Sequence, residues 1–416
     1  MPTRVIDVGI EGDHSVHLLE TQGAQGSWVA LSHQWGTTKR FCTYPEDKVK
    51  YMRGIAYEHL PATFKDAVKI TRALGCRYLW IDSLCIIQGP GGDFSSEAKR
   101  MEQVYSGAYC VLATSRAPGH HAGFLQGREP RDVVALKGKG QSGPFYLSQN
   151  FDDFDLHVLK GPLNQRGWVL QEHALARRTI YFTDHQMYFE CGQGVRCETM
   201  SRIANETASF LGDPNFPKVI MSANKGEKIL LYQDFYAKYS RLGLSEPTDR
   251  AVAIAGLEER ILEKLNVSGG WGVLDDSSAT GGQNGLLRRS LLWRRGKEVE
   301  AMSPIDFTQK TGYSRVPTWS WMAYKGGIDY IEPEFGATDW GEIQSPWSSS
   351  KERSTSHQSI GTHPLALVAK ARDYDDKNTD GIQGHFVVLD SPEQSKHLVK
   401  KCVILGKPRS RKVDNL

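Results

Sequence analysis

Along the first 115 residues, apolar positions fall into two alternating patterns. SWVALSH (27–33), CRYLWID (76–82) and YCVLATS (109–115) are short apolar runs that each close on polar residues. Between them, LPATFKDAVKITRALG (60–75) places Phe64, Ala67, Val68, Thr71 and Leu74 on one helical face, with Gly75 as its stop. Thr63 reads as the N-cap of this helix, with Asp66 as a first-turn carboxylate. SSEAKRMEQVYSGA (95–108) repeats the helical spacing through Ala98, Met101, Val104 and Tyr105. Strand–helix alternation of this kind predicts βαβ units and a parallel sheet covered on both faces. The spacing places strands at 28–32, 78–82 and 109–114. Their polar ends, Ser32–His33, Asp82–Ser83 and Thr114–Ser115, should then share the carboxyl edge, where open α/β sheets bind ligands.

Beyond residue 120 the pattern changes. VVALKGKGQSGPFYL (133–147) reads as a hairpin, NQRGWVLQEHALARR (164–178) as a turn into a short helix, and TIYFTDHQMYFECG (179–192) as two strands around a polar turn. Residues 225–265 are helical in pattern, and the last hundred are mainly β. These divisions predict an α/β domain over 1–200, a mainly helical extension over 201–300 and a mainly-β region over 301–416. A polar loop at 345–361, read as mobile, and a basic tail complete the chain.

Composition narrows the function classes. A formal charge of +3 lacks the basic excess of a nucleic-acid-binding domain. No apolar run approaches the roughly 18 residues of a membrane span, and the opening residues do not form a signal-peptide h-region. The expectation is therefore a cytoplasmic protein whose seven scattered cysteines are reduced. GKGQSG (138–143) has the letters of GxGxxG, but Pro144 and a strand follow it, so it reads as a hairpin loop. Cys191 and Cys197, near His173 and His185, lack the short spacing of structural zinc ligands, and no metal site is expected.

Several segments together resemble the fungal heterokaryon incompatibility (HET) domain family. They are VALSHQWG (29–36), LPATFKDAVKITRALGCRYLWIDSLCIIQ (60–88), DFSSEAKRMEQVYSGAYCVLATS (93–115) and LNQRGWVLQEHALARRTIYFTDHQMYFEC (163–191), in the family's order and spacing. FYAKYSRLGLSEPTDRAVAIAGL (235–257) and VPTWSWMAYKGG (316–327) resemble stretches that often follow this domain in fungal proteins. One departure is Phe94, where many members carry Trp after the residue matching Asp93.

The resemblance implies a TIR/flavodoxin-like parallel sheet core, by distant kinship with TIR domains, and a role in non-self recognition and regulated cell death. That kinship implies cleavage of NAD at the nicotinamide–ribose bond, with NAD as substrate and no cofactor. The family positions Ser32, His33, Trp35, Asp82, Gln88, Glu97, Arg166, Trp168, Gln171 and Glu172 would then surround one cleft. Glu97, at a helix start, is the first candidate carboxylate, followed by Glu172 and Asp82; the other residues would bind a nucleotide-type small molecule. Two further readings stand beside this one. The first is a non-catalytic signalling module acting by homotypic assembly as a homo-oligomer. The second is an enzyme of small-molecule biosynthesis using the same cleft.

Overall fold

The computed structural model describes residues 1–37, 40–128, 133–137, 145–148, 152–199, 202–203, 224–276, 285–308 and 316–347, with short stretches between 366 and 408. The GKGQSG loop, most of the 345–361 segment and the end of the basic tail lie outside the described residues. The chain divides into two compact units, Met1–Phe216 and Pro217–Leu416.

The first unit is built on a ten-stranded sheet. In chain order its strands are β1 (Arg4–Asp7), β2 (Ser15–Glu20), β3 (Trp28–Ser32), β4 (Ile55–Ala56), β5 (Tyr78–Ile81) and β6 (Cys110–Ala113). A separate hairpin of β7 (Val133–Leu136) and β8 (Phe145–Ser148) intervenes. The sheet resumes with β9 (Arg178–Phe182), β10 (Met187–Cys191), β11 (Gly194–Cys197) and β12 (Arg202–Ile203). Its helices are α1 (Lys48–Arg53), α2 (Ala62–Ala73), α3 (Asp82–Cys85), α4 (Phe94–Glu97), α5 (Met101–Gly107) and α6 (Gly167–Leu175).

The parallel strands predicted from the alternation form the centre. β3 pairs in parallel with β5 (Trp28 opposite Tyr78) and with β6 (Val29 opposite Cys110), and β6 pairs in parallel with β9. Their spatial order is β5-β3-β6-β9, which is second, first, third and fourth in the chain. This is the flavodoxin-type order, and it puts a topological switch point between β3 and β6. Every residue of β3 is buried, as a strand covered on both faces requires. Antiparallel strands extend the sheet on both sides: β1, β2 and β4 beyond β5, and β10, β11 and β12 beyond β9. The β1–β2 pair was not anticipated, although RVID and SVHLLE are short runs of strand-forming residues.

Two local expectations are revised. Thr63 is not the N-cap of α2; Pro61 holds that position. Thr63 instead donates its hydroxyl to Gly119 O at 2.8 Å, and its amide donates to His120 O at 3.0 Å. Asp66 accepts the amides of Phe124 and Leu125 at 2.7 and 3.0 Å. The start of α2 is thus completed by the loop after β6, which satisfies orphan groups at long range and fixes that loop. The helix predicted over 95–108 is present as α4 and α5 joined by a 3₁₀ turn at Ala98–Arg100.

Phe64 of α2 is fully buried against His33, Phe41 and His120, with ring centroids 5.3, 6.1 and 4.8 Å apart. Phe64→Ala is expected to cost about 3–5 kcal/mol by emptying this contact. Urea unfolding at pH 7 would check it, and a loss below about 1 kcal/mol would mean that the rings repack around the gap.

In the second unit, the two outlying family-like stretches meet each other. Trp321 is buried beside Tyr236 and Tyr239, with centroids 5.8 and 6.2 Å away, and under the Arg250 guanidinium at 5.7 Å. Arg250 also donates to Gly326 O at 3.0 Å. Buried Glu258 accepts hydrogen bonds from the Tyr236 hydroxyl and from the Trp271 and Gly272 amides, as a buried polar group requires. The helices at Lys225–Ser240 and Ala255–Leu265 and the two-stranded sheets from Ser268 onward belong to this unit.

Candidate functional site

The site forms where β3, β5 and β6 end. Ser32 closes β3, and His33 follows it into the interior. Asp82 follows β5 and opens the single turn α3. The loop after β6 brings His120 across the switch point. Gly36 and Gly119 make this crossing feasible. A Cβ at Gly36 would lie 3.0 Å from Gly119 Cα, and Gly36 has a φ of +74°. Only glycine suits both the conformation and the approach.

Asp82 shows why a carboxylate stands in an apolar segment. Its Oδ2 accepts the Trp35 indole N–H at 2.8 Å, and its Oδ1 accepts the Ser83 amide at 2.6 Å. Protein atoms surround it and burial raises its pKa, against the pull of Trp35 and Arg166. Yet 21% of its side chain remains open to solvent, so it faces an opening rather than a sealed core. His33 Nδ1 lies 3.8 Å from Asp82 Oδ1, too far for a hydrogen bond. The rings of His33 and His120 are 5.1 Å apart, and Trp35 is 6.1 Å from His120. Burial, with Arg166 adding to it, holds His33 down to about 3. Burial and the neighbouring His33 hold His120 down to about 3 against the opposing Asp82 charge. Both imidazoles are therefore neutral at physiological pH.

The third side comes from α6. Arg166, extended at its N-cap, donates Nη1 to the His33 carbonyl at 2.7 Å and ties the helix to the end of β3. Glu172 is buried at 5% exposure. Burial pushes its carboxyl up to about 7; the Asp82 charge adds to the rise, while Ser32, Arg166 and Tyr105 oppose it. α6 is anchored on its far side by a buried network in which His173 Nε2 lies 2.7 Å from Glu190 Oε2, which also accepts the Tyr181 hydroxyl at 2.6 Å. His173 thus has a carboxylate partner, and no group of three or more His, Cys, Asp or Glu among the described residues is arranged to hold a metal. Cys42, Cys76, Cys85, Cys110, Cys191 and Cys197 form no disulfide.

The predicted residues separate into two groups. Ser32, His33, Trp35, Asp82, Arg166 and Glu172 come together at the switch point through the contacts above. Glu97 is buried elsewhere, accepting the Thr3 hydroxyl at 2.8 Å with Arg100 at 3.7 Å. Gln88 turns its side chain back to the Ile86 carbonyl at 3.1 Å. Trp168 is half-buried and meets Phe94 edge-on at 5.9 Å, so the aromatic contact survives the family departure at that position. Gln171 is buried within α6. His120 was missed by the sequence reading. The available signal was a His-His pair, APGHHAG, just after a strand whose carboxyl end had already been placed on the ligand edge.

A concentration of unpaired polar atoms marks this place. Both ring nitrogens of His33, Ser115 Oγ and His120 Nε2 are all buried without a hydrogen-bond partner. Buried polar groups are ordinarily satisfied, so such a group implies that something else supplies the partners.

The first unit is an α/β domain whose polar cluster lies at the switch point, the place where open α/β sheets bind ligands. Within it, residues 28–172 match the family model described as heterokaryon incompatibility protein (HET), and the resemblance read from the sequence holds over that segment, β3 through most of α6. No curated protein and no solved structure gives a significant match to the chain. No helix among the described residues is long and apolar enough to cross a membrane.

Proposed function

We propose that this HET-domain protein is an effector of fungal non-self recognition and regulated cell death that cleaves NAD between nicotinamide and ribose, in the cytoplasm. The observation that carries the reading is the pair of unlike carboxyls at the switch point: Asp82, held by Trp35 and open to solvent, and Glu172, buried with a pKa raised to about 7. Paired carboxyls in contrasting environments commonly divide charge stabilisation from proton transfer. Nicotinamide leaves as a neutral molecule, taking the electron pair of the glycosidic bond, so no acid is required. The ribose develops oxocarbenium character, which an ionised Asp82 stabilises. Water adds at the anomeric carbon and gives its proton to Glu172, whose pKa suits exchange at neutral pH. The products are nicotinamide, ADP-ribose and a proton. Glu97, engaged by Thr3 and Arg100, has no part in this scheme.

Incubation of the purified chain with NAD, followed by chromatographic analysis, should release nicotinamide and ADP-ribose in equal amounts. Absence of both, at dilute and at high protein concentration, would sink the reading.

The closed contacts on the neighbouring flank favour a second reading. Arg4 pairs with Asp93 and donates to Cys85 O at 2.7 Å, and Glu97 is similarly engaged. These are stabilising contacts of the kind that a non-catalytic module assembling as a homo-oligomer would also need. Self-association without turnover would support it.

A further inference from the structure

The unpaired donors beside Asp82 carry the reading of this site further, to the part of the substrate that it holds. His120 Nδ1 accepts the Phe41 amide at 3.1 Å. An imidazole nitrogen that accepts a backbone N–H carries no proton, so in neutral His120 the proton sits on Nε2. That Nε2–H is buried and has no partner. The ring is held in place from several sides. Its own carbonyl receives the Thr63 amide, Gly119 abuts Gly36, and Phe64 lies against its face. A fixed donor of known tautomer, unpaired and next to an accessible carboxylate, is a recognition group awaiting an acceptor.

The chemistry of the surroundings limits that acceptor. The nearby groups are two neutral imidazoles, the Ser32 and Ser115 hydroxyls, the Asp82 and Glu172 carboxyls, and the Arg40 guanidinium. Arg166 directs Nη1 to the His33 carbonyl, and the Arg40 guanidinium lies 5.5 Å over the Trp35 ring. A group that meets both Asp82 and the His120 Nε2–H must donate to the first and accept from the second, and an ionised phosphate only accepts. A polyol does both: its hydroxyls donate to Asp82 while their oxygens accept from the imidazole N–H.

We propose that His120, with Asp82, forms a subsite for the vicinal hydroxyls of a ribosyl group, and that His120 acts as its positioning residue. This rests on the NAD-cleavage reading and specifies which portion of the substrate lies at the switch point.

Comparison of two ligands isolates the contribution. ADP-ribose and ADP share every group except the terminal ribose. The parent protein is expected to bind ADP-ribose at least tenfold more tightly than ADP by calorimetry. His120→Asn retains an acceptor for the Phe41 amide but cannot reach as Nε2–H does; it should shrink the ADP-ribose preference by about tenfold to hundredfold, the range for stranding a buried hydrogen-bonding group. His120→Gln places an amide N–H near the Nε2 position and should restore most of the preference. Melting curves at pH 7.5 establish that both variants fold. Loss of the preference in both variants alike, or its persistence in His120→Asn, overturns the role of His120. Equal binding of the two ligands by the parent overturns the ribosyl subsite, while NAD cleavage in the same preparation would leave the enzymatic reading standing. A parent that binds neither ligand and leaves NAD intact refutes both.

Discussion

Stability of the protein is expected to peak near pH 6.5 and to fall on acidification well before the ordinary carboxylates titrate. His33 and His120 are held down to about 3 in the folded protein, against an unfolded value of about 6.5. Below pH 6.5 the unfolded chain takes up two protons that the folded chain refuses, so stability drops as pH falls. Glu172 acts in the opposite sense. Its folded value of about 7 lies above the ordinary 4.5, so the folded state keeps a proton that the unfolded state has lost, and stability drops as pH rises through that window. Asp82, also raised, adds to this sense at the acid end. Between pH 6.5 and 4.5 these three groups leave a net imbalance of about one proton, which corresponds to about 1.4 kcal/mol per pH unit, and His157, also lowered by burial, acts in the same sense. Below 4.5 the Glu172 contribution ends, and the two histidines together supply about 3 kcal/mol per pH unit, reduced where Asp82 opposes them. A typical domain stability of about 5–15 kcal/mol is exhausted within a few units at that rate. Urea unfolding at half-unit steps from pH 4 to 8 would measure this. His120→Asn should remove about one proton's worth of slope between pH 6.5 and 4.5, and an unchanged slope would show that His120 ionises without penalty.

Glu172→Gln is expected to have the largest effect on NAD turnover. The amide keeps the size of the side chain and a carbonyl oxygen near Ser32 and Tyr105, but it cannot accept the proton from water. Loss of a general base commonly costs on the order of 10² to 10⁴ in rate. In the parent, kcat/KM should climb as Glu172 ionises through about pH 7, and that limb should vanish in the variant. The same substitution removes the stability penalty of ionised Glu172 above pH 7, so Glu172→Gln should unfold no more easily than the parent at pH 8. Falling activity with undiminished stability is a combination that a purely structural role does not produce. Glu97→Gln provides the contrast. Its carboxylate already has Thr3 and Arg100, so its rate effect should be far smaller than that of Glu172→Gln. A reversed order would transfer the base role to Glu97.

Local and periodic features were legible in the chain itself. Three apolar runs ending in polar residues were enough to place β3, β5 and β6, their parallel pairing and Asp82 on the ligand edge, because a strand covered on both faces has few other ways to be written. The order and spacing of the HET-like segments carried the resemblance to the family whose model matches residues 28–172. The tertiary structure decided which polar residues have partners. Glu97 and Glu172 are both acidic residues in helical segments of the family-like region, and nothing local separates them. One is engaged by Thr3, 94 residues away, and the other is enclosed where Asp82 raises its pKa through space. His120 entered the site because the start of α2 binds the loop after β6, and because Gly36 and Gly119 let two loops touch. Burial and charge proximity are sums over atoms distant in the chain, so pKa values and unpaired donors emerge only once the sheet has brought its carboxyl edge together.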